Sequence, residues 1–298
     1  MVEKRSVGEI IFDICNILFM ILLAITMVYP FWNIAVKSIS TNAAANSPGL
    51  HLWTNEPVFE AYRSILHNKY LGTAFRNTIF RTVVGTATNV LLSVIVAYPL
   101  SKKYLPLRTL WTTIIVFTMF FGGGLIPSYL INKNLGLVGS WLSWILPGAI
   151  GTYNMIIVRN YFQSLPPDLE ESARIDGASE MRVLFQIVLP ISVPIIATVA
   201  LWYAVGHWNS WFDAMVYTSR ENDLIVLQLL LRRMLIEGTD QHLTSGADGT
   251  TVQENGFVPT PDVLKCATIM VSSIPIICVY PFVQRYFMKG IMVGSLKG

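Results

Sequence analysis

Six stretches of this chain contain no Lys, Arg, Asp or Glu: 14–36, 82–101, 109–132, 134–158, 183–212 and 266–284. Each reaches or approaches the roughly 20 residues that a helix needs to cross the hydrocarbon core of a bilayer. Inside lipid the backbone has no water to bond, so a spanning segment must be a helix or part of a closed barrel. The polar–apolar alternation of a barrel strand is absent. The sequence therefore predicts an all-α integral membrane protein with six transmembrane helices. Composition agrees. Of 298 residues, 53% are apolar and 13% charged, about half the charge of an ordinary soluble domain. That excludes a soluble globule, and the apolar content excludes disorder. A net charge of +3 gives no argument for nucleic acid.

With their flanks the spans are expected at about 11–36, 77–101, 108–131, 140–161, 187–213 and 265–286, in one transmembrane domain covering 1–298. A seventh charge-free run, 38–55, is rich in Ser, Asn, Thr, Gly and Pro and reads as a polar loop. The first span resembles a signal peptide at its start, but its charge-free core exceeds the roughly 7–15 residues of a signal h-region, so it is read as retained. Lys and Arg in short loops set orientation. With the N-terminus inside, inner segments carry Lys4, Arg5, Lys102, Lys103, Arg108, Arg159, Arg174, Arg182, Arg285, Lys289 and Lys297. The short outer loop between spans three and four carries only Lys133. Both termini are thus expected in the cytoplasm. Trp32, Trp53, Trp141, Trp144, Trp208 and Trp211 are expected to form an outer aromatic belt.

Catalytic and metal chemistry find little support. Cys15, Cys266 and Cys278 sit at or inside apolar runs, without disulfide or metal spacing. The four histidines are scattered, and His207 reads as a boundary residue. No HExxH, GxSxG, CxxC or phosphate-binding GxxxxGK[ST] sequence occurs. Charge-free spans also argue against a channel or secondary transporter.

The inner loop, 162–186, is longer than a connection requires. Asp168 and Glu171 fit a capping box after Pro166 and Pro167, and Gly177 supplies a left-handed stop. A second helix is expected from near Ser179 toward Pro190. Small residues Ser172, Ala173, Gly177 and Ala178 lie at the turn, rimmed by Glu170, Arg174, Asp176 and Glu180. Two readings fit these residues: a helix inserted into a groove of another protein, or an amphipathic loop on the inner leaflet.

The stretch from Glu171 to Gly177 (Glu171, Ser172, Ala173, Arg174, Ile175, Asp176, Gly177), followed after nine residues by Ile187-Val-Leu-Pro190, resembles the EAA loop of ABC-importer permeases. Ser172 stands where Ala is usual. The segments Ala97-Tyr-Pro-Leu-Ser-Lys-Lys103, Phe121-Gly-Gly-Gly-Leu-Ile-Pro127, Asn134-Leu-Gly-Leu137 and Tyr280-Pro-Phe-Val-Gln-Arg-Tyr286 resemble the family's carbohydrate branch. Within it the chain is similar to oligosaccharide and polysaccharide permeases of the maltose type, from Tyr29 to Gly298. The resemblance implies a type I importer permease that is not itself an enzyme and needs no cofactor. Its loop would be a coupling helix, with Glu171, Ser172, Ala173, Arg174, Asp176 and Gly177 docking in a cytoplasmic ATPase. Implied partners are a second homologous permease, two ATPase subunits, an extracytoplasmic sugar-binding protein, an oligosaccharide and the lipid bilayer. The tail, with Gly294, Lys297 and Gly298, either reaches the ATPases or is a frayed end.

Polar residues within spans are the candidates for a translocation path: Asn89, Tyr153, Asn154, Tyr203 and Ser272. Helix–helix contact is the competing reading for each. Gly122, Gly123, Gly124 and Pro127 are expected to break span three. In the outer loop, 214–264, Leu224 to Ile236 reads as an interfacial helix, and 237–261 as flexible.

Overall fold

A computed structural model describes residues 7–218, 222–236 and 259–295, and these are helical almost throughout. Among them the only β-pairing is an isolated bridge between Ser40 and Pro57. Three helices are long and apolar enough to cross a membrane: α1 (Val7–Ser38), α2 (Leu71–Ser101) and the first part of α11 (Pro261–Ser295). Three broken pairs bring the candidate spans to as many as six. The first is α3 (Arg108–Phe120) with α4 (Leu125–Asn134), bent by 113°. The second joins the turns at Trp141–Gly148 to α5 (Thr152–Ser164), bent by 50°. The third joins Glu180–Ile191 to α8 (Val193–Asn209), bent by 85°. Between the second and third pairs lies α6 (Asp168–Ile175); α7 (Glu180–Val183) opens the third, and α9 (Phe212–Tyr217) and α10 (Leu227–Ile236) follow it.

The breaks have local causes. Phe121 to Gly124 leave the helical conformation, and Gly124 adopts φ +83, as expected for the glycine run. Near Pro190 the ladder widens into a π-helical segment, Leu184–Val188. Proline has no amide hydrogen and clashes with the preceding turn, which favours such a rearrangement.

The chain divides into two compact units. One comprises residues up to Asn68 and Arg233–Ile274. In it, Trp32 Nε1 donates to Leu52 O at 2.8 Å and the Trp32 and Trp53 rings stack at 6.4 Å. The 38–55 run is indeed a loop, carrying only the short helix Asn42–Asn46. Its Asn42 side chain accepts the Thr260 amide at 2.8 Å.

The other unit comprises Lys69–Arg232 and residues from Pro275 onward. Its core is α2 packed against α5 and α8, with Val94, Ala97, Met155, Val158, Val188 and Val199 buried. A second cluster joins Trp144, Ile145, Ala214, Val226 and Leu229. This corrects two expectations. Trp144 is only 3% exposed and its Nε1 donates to Thr218 at 3.3 Å, so it is a core residue rather than a belt residue. Residues 225–231 pack into the protein, and the Leu227 amide donates to Thr78 Oγ1 at 2.8 Å. The stretch is therefore no free interfacial helix. The expected flexible stretch, 237–261, lies outside the described residues up to position 258.

Candidate functional site

The loop corner is built as the sequence suggests at its end but not at its start. Gly177 takes φ +80, and its amide bonds Arg174 O at 3.0 Å while Ala178 bonds Ala173 O at 3.0 Å. These are the two hydrogen bonds of a Schellman stop, which needs a left-handed residue at that position. No atom lies within 4 Å of where a Gly177 Cβ would sit, so backbone conformation, not crowding, selects glycine. The expected capping box does not form. Pro167 is the N-cap, and the Glu170 and Glu171 amides bond its carbonyl at 3.0 and 3.1 Å. Asp168 falls inside the helix and contributes charge to the first turn instead. Ser179 does cap α7, accepting the Arg182 amide at 3.4 Å.

Around this corner, Glu171, Ser172, Asp176 and Gly177 are exposed, while Ala173 and Arg174 are half-buried. Glu170 differs from the expected open rim: it is 6% exposed. Both of its carboxylate oxygens contact Lys102 Nζ at the end of α2. Arg174 donates to Glu180 at 2.9 Å, to Tyr104 Oη at 3.0 Å and to Glu170 at 3.2 Å. Tyr98 and Tyr104 donate to the two oxygens of Glu180 at 2.8 and 3.1 Å. The hydrogen bond it donates to Glu180 holds the Arg174 guanidinium above its ordinary pKa. Burial, aided by Glu180, raises the Tyr104 phenol. Arg174 therefore stays charged, and Tyr104 stays protonated, at any physiological pH.

The first two thirds of α2 carry a second polar cluster, between Arg81 and Asn89. Arg81, 2% exposed, pairs with Asp213, with one contact at 3.0 Å. Its Nε donates to His207 Nδ1 at 3.4 Å, and His207 Nε2 lies 3.0 Å from Asn89 Oδ1. Asn89 Nδ2 then donates to Gly148 O at 2.7 Å. With Arg81 and Asn89 oriented so, the neutral imidazole carries its hydrogen on Nε2. His207, half-buried near the end of α8, thus links Arg81 to Asn89. A Cβ at Gly85 would lie 2.5 Å from its ring, so glycine makes room for it.

Four of the five path candidates gather at the break between Gly148 and Gly151, and Ser272 lies in α11. Asn89 and Tyr203 are buried, with polar atoms engaged by other helices. Tyr203 Oη lies 2.8 Å from Ser93 Oγ and accepts the Gly151 amide at 3.0 Å. Ser272 donates to Ile269 O at 2.9 Å within its own helix. Tyr153 is 56% exposed, with its ring 6.2 Å from Trp202, and Asn154 is half-exposed. Tyr203→Phe strips one acceptor from the break at Gly151. It is expected to cost about 1–2 kcal/mol, read as a lower melting temperature of the purified protein. An unchanged melting temperature would show that Tyr203 holds nothing. Gly294 lies in α11, whereas Lys297 and Gly298 fall outside the described residues.

Sequence reasoning passed over Arg81 and Asp213, and used Lys102 only to orient the chain. Their signal was positional, since all three border the charge-free runs 82–101 and 183–212.

Comparison with known proteins gives a consistent picture. The chain is 39% identical over 288 residues to Protein LplC of Bacillus subtilis (strain 168), covering 97% of this chain and 95% of that one. It is 38% identical to the polygalacturonan/rhamnogalacturonan transport system permease protein YtcP of the same organism, covering 97% and 99%. Among solved structures, it matches a chain of a bacterial ABC transporter involved in the import of the acidic polysaccharide alginate. That match has a TM-score of 0.85 and 34% identity, and covers 96% of this chain and 100% of that one. The family model for the binding-protein-dependent transport system inner membrane component matches residues 4–293. Such components work with an ATPase and a substrate-binding protein. On this match, the chain belongs to that family and is a non-catalytic, multi-pass membrane permease subunit of an ABC transporter.

Proposed function

We propose that the chain is one of two homologous but distinct permease halves of an importer in a bacterial cell membrane. It would carry oligosaccharides or polysaccharide fragments, delivered by an extracytoplasmic sugar-binding protein and driven by two ATPase subunits. Relatives named for polygalacturonan/rhamnogalacturonan and alginate support the substrate class. The corner closed at Gly177 carries the coupling role, because it presents a short, largely exposed helix whose turn is open around Gly177, which has no side chain to obstruct a partner. Glu171, Ser172, Ala173, Arg174, Asp176 and Gly177 form the ATPase-facing surface, on the cytoplasmic side with both termini. The tail at Gly294, Lys297 and Gly298 is a second contact with the ATPases. Of the path candidates, Tyr153 and Asn154 face the sugar, Asn89 and Tyr203 hold the wall in shape, and Ser272 steadies its own helix. A ligand can bias the rocking of such a pathway only through its different affinity for the two states.

The test is affinity purification of the tagged chain from its native membrane, followed by uptake in vesicles. Oligogalacturonates, alginate oligomers, maltotriose and tripeptides are offered separately. Recovery of an ATPase and a second permease, with uptake of an oligosaccharide, is expected. Recovery without any ATPase would overturn the coupling role. Uptake of tripeptides alone would overturn the substrate class.

A further inference from the structure

The loop corner is covalently attached to α5 and, through Leu184–Ile191, to α8. Its ionic attachments go elsewhere. Glu170, the one buried residue of α6, is held at both carboxylate oxygens by Lys102. Glu180 is held by Tyr98, and the Arg174 guanidinium lies over the Tyr104 ring, 5.4 Å from its centroid. All three attachments converge on Tyr98–Tyr104, the end of α2 and the residues just beyond it. Lys102 itself sits 4.2 Å over the Tyr98 ring, so the holding groups also hold one another.

We propose that Lys102 is a positioning residue that clamps the coupling corner to α2, so that movement of the corner enters the membrane unit through α2 rather than through its chain neighbours. The inference rests on the coupling role proposed above for the corner. Two features fit α2 for the task. It is a continuous helix of 31 residues, about 46 Å long at 1.5 Å per residue. It packs against both α5 and α8, and its N-terminal half bears Arg81, joined to α8 through His207 and to α9 through Asp213. A buried ammonium–carboxylate pair suits a rigid joint, because separating its partners leaves a desolvated charge on each side.

Two variants separate this from simple structural support. In Lys102→Met the ionic joint is gone while most of the apolar stem remains. In Lys102→Arg a forked donor can still reach both oxygens of Glu170. Spin labels are placed at Ile175 and Lys103 in a chain with its three cysteines replaced by serine. The unvaried chain should give one narrow distance distribution. Lys102→Met should broaden it, and Lys102→Arg should keep it narrow. In the importer reconstituted with its partner permease, ATPases and binding protein, oligogalacturonate is the transported probe. ATP hydrolysed per molecule moved should rise on the order of tenfold for Lys102→Met and stay near the unvaried value for Lys102→Arg. An unchanged distribution and unchanged ratio in Lys102→Met would overturn the proposal. So would a Lys102→Arg variant as uncoupled as Lys102→Met. A Lys102→Met chain too unstable to assemble, alongside an uncoupled Lys102→Arg, would reduce Lys102 to folding support and also overturn it. Failure of the unvaried chain to recover an ATPase is a separate result, and it falls on the coupling role instead.

Discussion

Gly177→Val should abolish uptake while leaving the chain in the membrane. A left-handed backbone costs an ordinary L-residue roughly 1–2 kcal/mol, and a β-branched side chain fares worse. The φ of +80 at this position cannot relax without opening the two bonds that end α6. Opening them moves Ala178 and Ser179, and with them the Glu180 carboxylate that Tyr98, Tyr104 and Arg174 hold. The added methyl groups would also stand on the exposed turn, where the ATPase is proposed to dock. Co-purification of the ATPase should fall in step with uptake, and Gly177→Asn, which tolerates the left-handed region best, should retain the most activity. Wild-type uptake by the valine variant would remove the corner from the coupling role.

The second large effect is expected at Arg81, in the N-terminal half of α2. Arg81→Met would leave the Asp213 carboxylate without its guanidinium and His207 without its donor. Breaking a buried pair costs about 3–5 kcal/mol. Because the Asp213 side chain is 25% exposed, solvent screens part of that loss, and about 2–3 kcal/mol is the better expectation. The measurement is the melting temperature of the purified chain, with Asp213→Asn alongside. Gly85→Leu should mimic the loss by displacing the His207 ring, although it touches no charge. If Gly85→Leu melts like the unvaried chain, the His207 connection contributes nothing to stability.

What was legible in the sequence follows from its physics. Absence of charge marks lipid, so the apolar helices could be placed. A lone glycine after Arg174 and Asp176 marks a helix stop, and Gly177 is one. The glycines at 122–124 mark a break, and α3 and α4 part there. The illegible features depend on partners far apart in the chain. Arg81 looks like the flank of a span until Asp213 and His207, more than a hundred residues on, are seen beside it. Glu170 looks like a surface charge until Lys102 covers it. Asp168 has the spacing of a cap, yet the preceding proline, fixed near helical φ, starts the helix one residue early. Trp144 and the 225–231 stretch read as interfacial because hydropathy cannot distinguish lipid from protein as the apolar neighbour.

The break between α3 and α4 carries one more consequence. The first four amides of any helix have no carbonyl within it. At the start of α4, Pro127 has no amide hydrogen and the Ser128 amide bonds Gly124 O at 3.3 Å, which leaves the amides of Leu125 and Ile126, and Gly124 offers no capping side chain. Hydrocarbon cannot supply an acceptor for them. This bend must therefore be wetted or covered by a second protein surface. Its backbone should trade hydrogen for deuterium within seconds to minutes in the isolated chain, while the middle of α2 stays protected for hours, and assembly with a partner should erase that difference.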